Sequence, residues 1–148
     1  LFREVRERRG LAYSIGSGYG YLADAGFFTI SAGVNRDKLR ETISVCLEET
    51  EKLLTQPVPP EELRKAKDHN IGRFRLSLET AFSLGQRHGE LLLTKGAIES
   101  VEQVVSQIEA VTADELTAVA KRVIVREKLH CAVVGPGLDE GEIEAAMA

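Results

Sequence analysis

The sequence predicts an α+β domain of two layers, with helices packed on one face of an antiparallel or mixed β-sheet. Three observations lead there: a segment of period two near the start, a long run of helical periodicity after it, and a short apolar segment near the end that reads as a returning strand. The 148 residues suit a single domain spanning 1–148, large enough to bury a core. Hydrophobic residues at 43% and charged residues at 28% exclude a disordered or collagen-like chain. No apolar run approaches the roughly 18 residues that a membrane span requires. A net charge of −4 gives no electrostatic reason to expect nucleic acid or an anionic membrane surface as a partner.

The chain opens on an amphipathic helix, with Leu1 and Val5 one turn apart. Arg8 and Arg9 fall in its last turn, where cations suit the helix dipole, and Gly10 is placed to end it. No N-cap, Met or lead-in precedes this helix, so the expectation is a portion of a longer polypeptide. Over residues 11–21 the odd positions are Leu, Tyr, Ile, Ser, Tyr and Tyr, while the even positions are Ala, Ser or Gly. That is a strand with one bulky face and one bare face. Asp24, Ala25 and Gly26 mark a turn, and residues 27–34 form a second strand with Phe28, Ile30, Ala32 and Val34 on one face. The short connection implies an antiparallel pair.

Asn35 is placed to cap a helix that runs to about Thr55, with Leu39, Ile43, Cys46, Leu47, Thr50 and Leu54 as its apolar stripe. After a proline break, Pro60 begins the next helix, followed by Glu61 and Glu62 at its positive end. Its inward positions are Leu63, Ala66, Asn70, Ile71, Phe74 and Leu78, and Gly72 within it suggests a bend or close packing. A third helix covers about 81–94 and ends at Gly96. Ser100 with Gln103, and Thr112 with Glu115, match the capping-box pattern and open two further helices. Residues 129–134 read as the returning strand, and 139–147 as a terminal helix.

Residues of several types invite a chemical reading. Gly16, Gly18 and Gly20 alternate within a strand and do not open into a helix, so close backbone packing explains them better than a phosphate loop. His69, His88 and His130 fall in no zinc-ligand spacing, and Cys46 and Cys131 form no paired ligand motif. Both cysteines lie in apolar patterns and read as buried thiols of a reducing, cytoplasmic setting, with a structural disulfide the less favoured alternative. No nucleophile elbow is present, and nothing links either cysteine to a histidine. On these residues alone the chain is an α+β domain without self-contained catalytic machinery.

One segment adds more. Leu1-Phe2-Arg3-Glu4-Val5-Arg6-Glu7-Arg8-Arg9-Gly10-Leu11-Ala12-Tyr13-Ser14 closely resembles a signature of the insulinase/pitrilysin and mitochondrial-processing-peptidase family of zinc metallopeptidases. The likeness continues through Asp24-Ala25-Gly26-Phe27-Phe28, Glu62-Leu63-Arg64-Lys65-Ala66-Lys67 with Gly72, the Gly96 region, and Val111-Thr112-Ala113-Asp114-Glu115-Leu116. It covers nearly the whole chain. The resemblance implies the processing-peptidase-like fold of two similar halves facing across a chamber, with this chain in the later part of the second half. It implies zinc in the complete enzyme, held by a His-x-x-Glu-His motif of the other half, and no metal ligands in this segment. It implies that Arg6 and Tyr13, seven residues apart, bind substrate, with Tyr13 also catalytic.

The chemistry of that pair is coherent. A Tyr hydroxyl aimed at the carbonyl oxygen on which charge develops, and an Arg guanidinium holding a substrate carbonyl, supply preorganised donors. Without the resemblance, Arg6 reads as a solvated helix charge and Tyr13 as a core aromatic. The implied partners are a peptide substrate and the zinc-bearing half, in the same chain or in a partner subunit. An exposed hairpin edge leaves self-association of the segment open. A non-catalytic scaffold or partner subunit of the same family is the main alternative, and an unrelated α+β ligand-binding module a more remote one.

Overall fold

A computed structural model of the chain describes residues 1–22 and 24–147. Two compact units share the chain: Leu1–Gln56 together with the segment from Ala118 onward, and Pro57–Thr117.

The first unit begins with a π-helix, Phe2–Arg8, whose wider turns bond five residues back, as where the Arg9 N–H donates to the Glu4 carbonyl at 3.2 Å. Gly10 then takes φ 59°, a left-handed conformation that glycine adopts without a Cβ clash. The chain reverses there, and the Leu11 N–H donates to the Val5 carbonyl at 2.8 Å. The helix stop expected at Gly10 is therefore present. Strands β1 (Ala12–Tyr21) and β2 (Gly26–Val34) follow as an antiparallel pair. Their register opposes Ile15 to Ala32, Ser17 to Ile30, Tyr19 to Phe28 and Gly20 to Phe27. At the base of the hairpin Ser14 faces Gly33 while Ala12 faces Val34, so Tyr13 is the one extra residue of a β-bulge.

A 3₁₀ turn, Arg36–Lys38, leads into helix α1 (Leu39–Thr55). Asn35 has the extended backbone of a cap, but its side chain makes no capping hydrogen bond. The core of this unit joins Val5, Leu11, Ala12 and Val45, with Ile15, Val34 and Cys46 packed against it. Val5 is fully buried. The inward stripe of α1 is rotated from the expected one, because Thr42 and Val45 face the core as well as Cys46 and Thr50. The two threonines go inside at little cost, since each hydroxyl donates to a carbonyl of its own helix: Thr42 to Lys38 at 2.8 Å and Thr50 to Cys46 at 2.6 Å.

Residues 129–134 do not form the expected returning strand. The sheet comprises β1 and β2 among the described residues. Leu129 has extended backbone, φ −75° and ψ 131°, yet among the described residues no strand pairs with this segment to exchange ladder hydrogen bonds. Val134 and Cys131 are exposed for the same reason, so Cys131 is not the buried thiol that its apolar surroundings suggest. Both cysteines are free. Helix α6 (Glu140–Met147) is held by Arg36, whose Nε donates to the Gly137 carbonyl at 2.7 Å while its guanidinium pairs with Glu142 at 2.7 Å.

The second unit contains α2 (Pro60–Leu76), α3 (Ala81–Lys95) and α4 (Val101–Ala110), and α5 (Ala113–Val123) starts within it. Pro60 occupies the first turn of α2, where its missing N–H costs nothing. Ile71 and Leu91 are the buried side chains. Arg64 pairs with Asp68 at 2.7 Å and with Glu109 at 3.2 Å, and the Lys67 ammonium donates to the Glu109 carbonyl at 2.6 Å, tying α2 to α4. Nothing stands within 4 Å of the place a Cβ would take at Gly72, so the close packing expected there is absent.

The helix ends follow their sequence signals. Gly96 ends α3 with φ 72°. Ser100 and Gln103 form a reciprocal capping box, at 3.1 and 2.7 Å. Thr112 and Glu115 form another, in which the Thr112 N–H donates to the Glu115 carboxylate at 2.8 Å and the Glu115 N–H donates to the Thr112 hydroxyl at 3.2 Å. The Thr112 backbone N–H, and then its hydroxyl, hold the Glu115 carboxyl below the usual carboxylate range.

Two outcomes follow from this packing. Val45→Ala removes a side chain that is 2% exposed at the centre of the first core, and should destabilise the protein by about 2 kcal/mol in chemical denaturation. The Glu115 cap contributes fully above the ordinary carboxylate range and is lost as pH falls through its lowered pKa. Amide exchange in the first turn of α5 should therefore quicken on acidification, relative to the other helix starts, and Glu115→Gln should flatten that dependence.

Candidate functional site

The first unit carries both residues marked by the signature. Arg6 sits on the π-helix, directly after the buried Val5 that fixes this helix to the core. Two other arginines of this segment spend their charges locally, Arg8 on Glu4 and Arg9 at 3.9 Å from Glu48, whereas Arg3 and Glu7 enter no ion pair among the described residues. Arg6 has no carboxylate partner among the described residues. Its guanidinium instead lies over the Phe2 ring, 5.0 Å from the centroid, which steadies the side chain without neutralising it. Phe2 was not singled out by sequence reasoning; the four-residue spacing of an aromatic and an arginine on one helix is the signal that could have marked it.

Tyr13 is placed by the bulge. Ala12, Ile15 and Val34 all pack on the core side of the hairpin, and alternation from Val34 puts Gly33 on the opposite, open face. The tip of the Tyr13 phenol lies over Gly33 on that open face. The bulge thus removes Tyr13 from the bulky face to which its odd position assigns it. Tyr13 is 72% exposed, and its hydroxyl makes no hydrogen bond among the described residues. The expectation of a core aromatic does not hold here.

Arg6 and Tyr13 are thus brought to the same unit, on a helix and a strand joined by the Gly10 turn, both exposed and both uncommitted to other polar groups. The arrangement can offer a cationic fork and a neutral hydroxyl donor to a ligand bearing carbonyl oxygens. Elsewhere in this unit, a cavity of about 210 Å³ is lined by Arg36, Asp37, Arg40, Ile43, Glu142 and Ile143. Of its four charged residues, Arg36 and Glu142 are spent on each other.

Several known proteins resemble this chain. A family model described as the peptidase M16 inactive domain matches residues 1–70, which include both Arg6 and Tyr13. An uncharacterized zinc protease of Streptomyces coelicolor is 34% identical over 140 residues, 95% of this chain and 30% of its own length. An uncharacterized zinc protease of Mycobacterium bovis is 35% identical over 92% of this chain and 31% of its own length. One of Bacillus subtilis is 28% identical over 92% of this chain and 33% of its own length. The chain therefore spans about three tenths of the length of the first two relatives. Among solved structures, a chain of complex III2 from Candida albicans with Inz-5 bound shares the fold, with TM-score 0.71, 18% identity, and coverage of 80% of this chain and 28% of that one.

The relatives' names raise the question of zinc. His69 and His130 are exposed and His88 is half-buried. No group of three or more His, Cys, Asp and Glu side chains is arranged to hold a metal ion among the described residues. The residues described here do not fit a zinc site. Replacing His69, His88 and His130 together by Ala in the longer protein should leave its zinc content unchanged by elemental analysis.

Proposed function

We propose that the chain belongs to the M16 peptidase family, as its inactive C-terminal type of domain, and that it is the second-half domain of a zinc-dependent metalloendopeptidase that cleaves peptides. Its relatives are named zinc proteases. In this reading the metal belongs to residues outside this chain, in the zinc-bearing half of the same polypeptide or of a partner subunit, and this domain is inactive alone. Its own part is to clamp substrate and to stabilise charge.

The observation that carries the reading is the pair of uncommitted donors. Arg6 donates from its guanidinium to a carbonyl of the bound peptide and sets its register. Tyr13 donates its hydroxyl hydrogen to the scissile carbonyl oxygen as negative charge builds there. That bond is stronger in the transition state than in the ground state, so its effect falls on kcat. Both groups are held before substrate arrives: Arg6 by Val5 and Phe2, Tyr13 by the bulge and the surface of β2.

A second reading rests on a specific observation as well. The absence of a metal-binding group among the described residues, and the family model's own description as an inactive domain, also suit a non-catalytic scaffold or partner subunit. A His-x-x-Glu-His motif in the rest of the longer protein, or in a co-purifying subunit, favours the peptidase; its absence from both favours the scaffold.

In the complete protein, Tyr13→Phe should lower kcat for a peptide substrate by roughly a hundredfold, with zinc content unchanged. Arg6→Ala should lower kcat/KM, with most of the loss in KM. Wild-type kinetics in both variants would remove the pair from the active site.

A further inference from the structure

We propose that Gly33 is a positioning residue for Tyr13, holding the phenol hydroxyl in place on the open face by leaving empty the space that any side chain at 33 would occupy. The inference rests on the reading of Tyr13 as a transition-state donor, and it adds the group that determines where that donor stands.

The geometry is direct. Tyr13 is the extra residue of the bulge, so no β2 residue opposes it and its backbone has no ladder partner to orient it. What the ring rests on is Gly33, the partner of the next residue, Ser14. Tyr13 Cε2 and Oη lie 2.5 Å from the place a Gly33 Cβ would take, and Cζ lies there too. Carbon and oxygen atoms do not approach a Cβ that closely, so even alanine at 33 would force a displacement. The atoms in the way belong to the tip of a side chain, not to backbone. The ring would therefore move and the strand would stay. Gly33 takes no positive φ, so its backbone does not require glycine and the reason for a glycine there is the ring.

The same hairpin contains a built-in comparison. At its far end the Phe27 ring covers Gly20, with Cε1 at 2.7 Å and Cε2 at 2.9 Å from the corresponding Cβ position. Aromatic cover over a strand glycine is a packing device in its own right. Phe27 carries no hydroxyl, so Gly20 and Gly33 share the packing role, and only Gly33 governs a donor.

The test uses the complete peptidase with a peptide substrate. Gly33→Ala should lower kcat at least about tenfold, since a displacement on the order of an ångström at a reacting centre can cost that much or more. KM, zinc content and melting temperature should stay near the wild-type values. In the Tyr13→Phe background Gly33→Ala should change kcat less than about twofold, because the hydroxyl it would misplace is already gone. Gly20→Ala, which meets Phe27 in the same way, should leave kcat within about twofold of wild type.

If Tyr13→Phe lowers kcat while Gly33→Ala does not, the positioning role is wrong and the donor reading stands. If Tyr13→Phe has no effect, the donor reading fails and this inference fails with it. An equal loss in Gly20→Ala would show general distortion of the hairpin and overturn the proposal. Should Gly33→Ala not fold, nuclear magnetic resonance of glycine-labelled wild-type protein decides. The Gly33 Hα signals should be shifted upfield by the Tyr13 ring current, and should return to ordinary positions in Tyr13→Leu. Unshifted Gly33 signals in the wild type would overturn the assignment.

Discussion

The burial of Val5 is the interaction on which the first unit depends. A helix that began anywhere on the surface would present Arg6 to solvent, but only one that is pinned presents it at a fixed place. Val5 is pinned because Gly10 takes a left-handed conformation and turns the chain back over it, so that Leu11 and Ala12 close on one side and Val45 of α1 on the other. Three elements then share one small core. The arginine that follows Val5 and the tyrosine that follows Ala12 each leave that core by one residue, and so each is exposed on a rigid base.

The bulge at Tyr13 has an effect out of proportion to its size. In an unbroken strand Ala12 and Ile15 would point to opposite faces, because they are three positions apart. Here both pack against the core, and the intervening pair takes up the difference. One inserted residue thus changes the face on which an aromatic side chain emerges. Were the alternation regular, the Tyr13 ring would compete with Ile15 and Val34 for room above α1, and its hydroxyl would need a partner in an apolar core. The bulge avoids that desolvation cost and leaves the donor in the open.

These details mark the limit of what the residues reveal by pattern. The helix boundaries were legible, because glycine, proline and the two capping boxes act within a few residues of themselves: Gly10, Gly96, Ser100 with Gln103, and Thr112 with Glu115 all do locally what their chemistry dictates. The antiparallel hairpin was legible for the same reason. The rotation of the α1 stripe was not, because a buried threonine looks polar until its hydroxyl is seen to bond its own helix. Residues 129–134 were misread because strandness is a property of a pair, and periodicity cannot supply the neighbour. The position of Arg6 and Tyr13 in the candidate site came from resemblance, and the face on which Tyr13 emerges lay beyond any alternation rule. An isolated glycine beside Val34 was the one available hint of close approach at β2.

The proposed division of labour accounts for a feature that stability alone does not require. On the signature helix Glu4 serves Arg8 and Glu48 lies near Arg9, while Arg3, Arg6 and Glu7 enter no ion pair among the described residues. Arg6 is left with a ring beneath it and no counter-ion, and Tyr13 with a glycine beneath it and no hydrogen-bond partner among the described residues. A carboxylate placed beside Arg6 would add little to stability at an exposed site, but it would compete with a substrate carbonyl for the guanidinium. A hydrogen bond to the Tyr13 hydroxyl would likewise orient it toward the protein. Supporting both groups through apolar surfaces, an aromatic face in one case and a bare strand in the other, fixes their positions while leaving every donor hydrogen unspent. On the proposed reading, in which the reacting partners lie outside this domain, that arrangement keeps both polar groups ready.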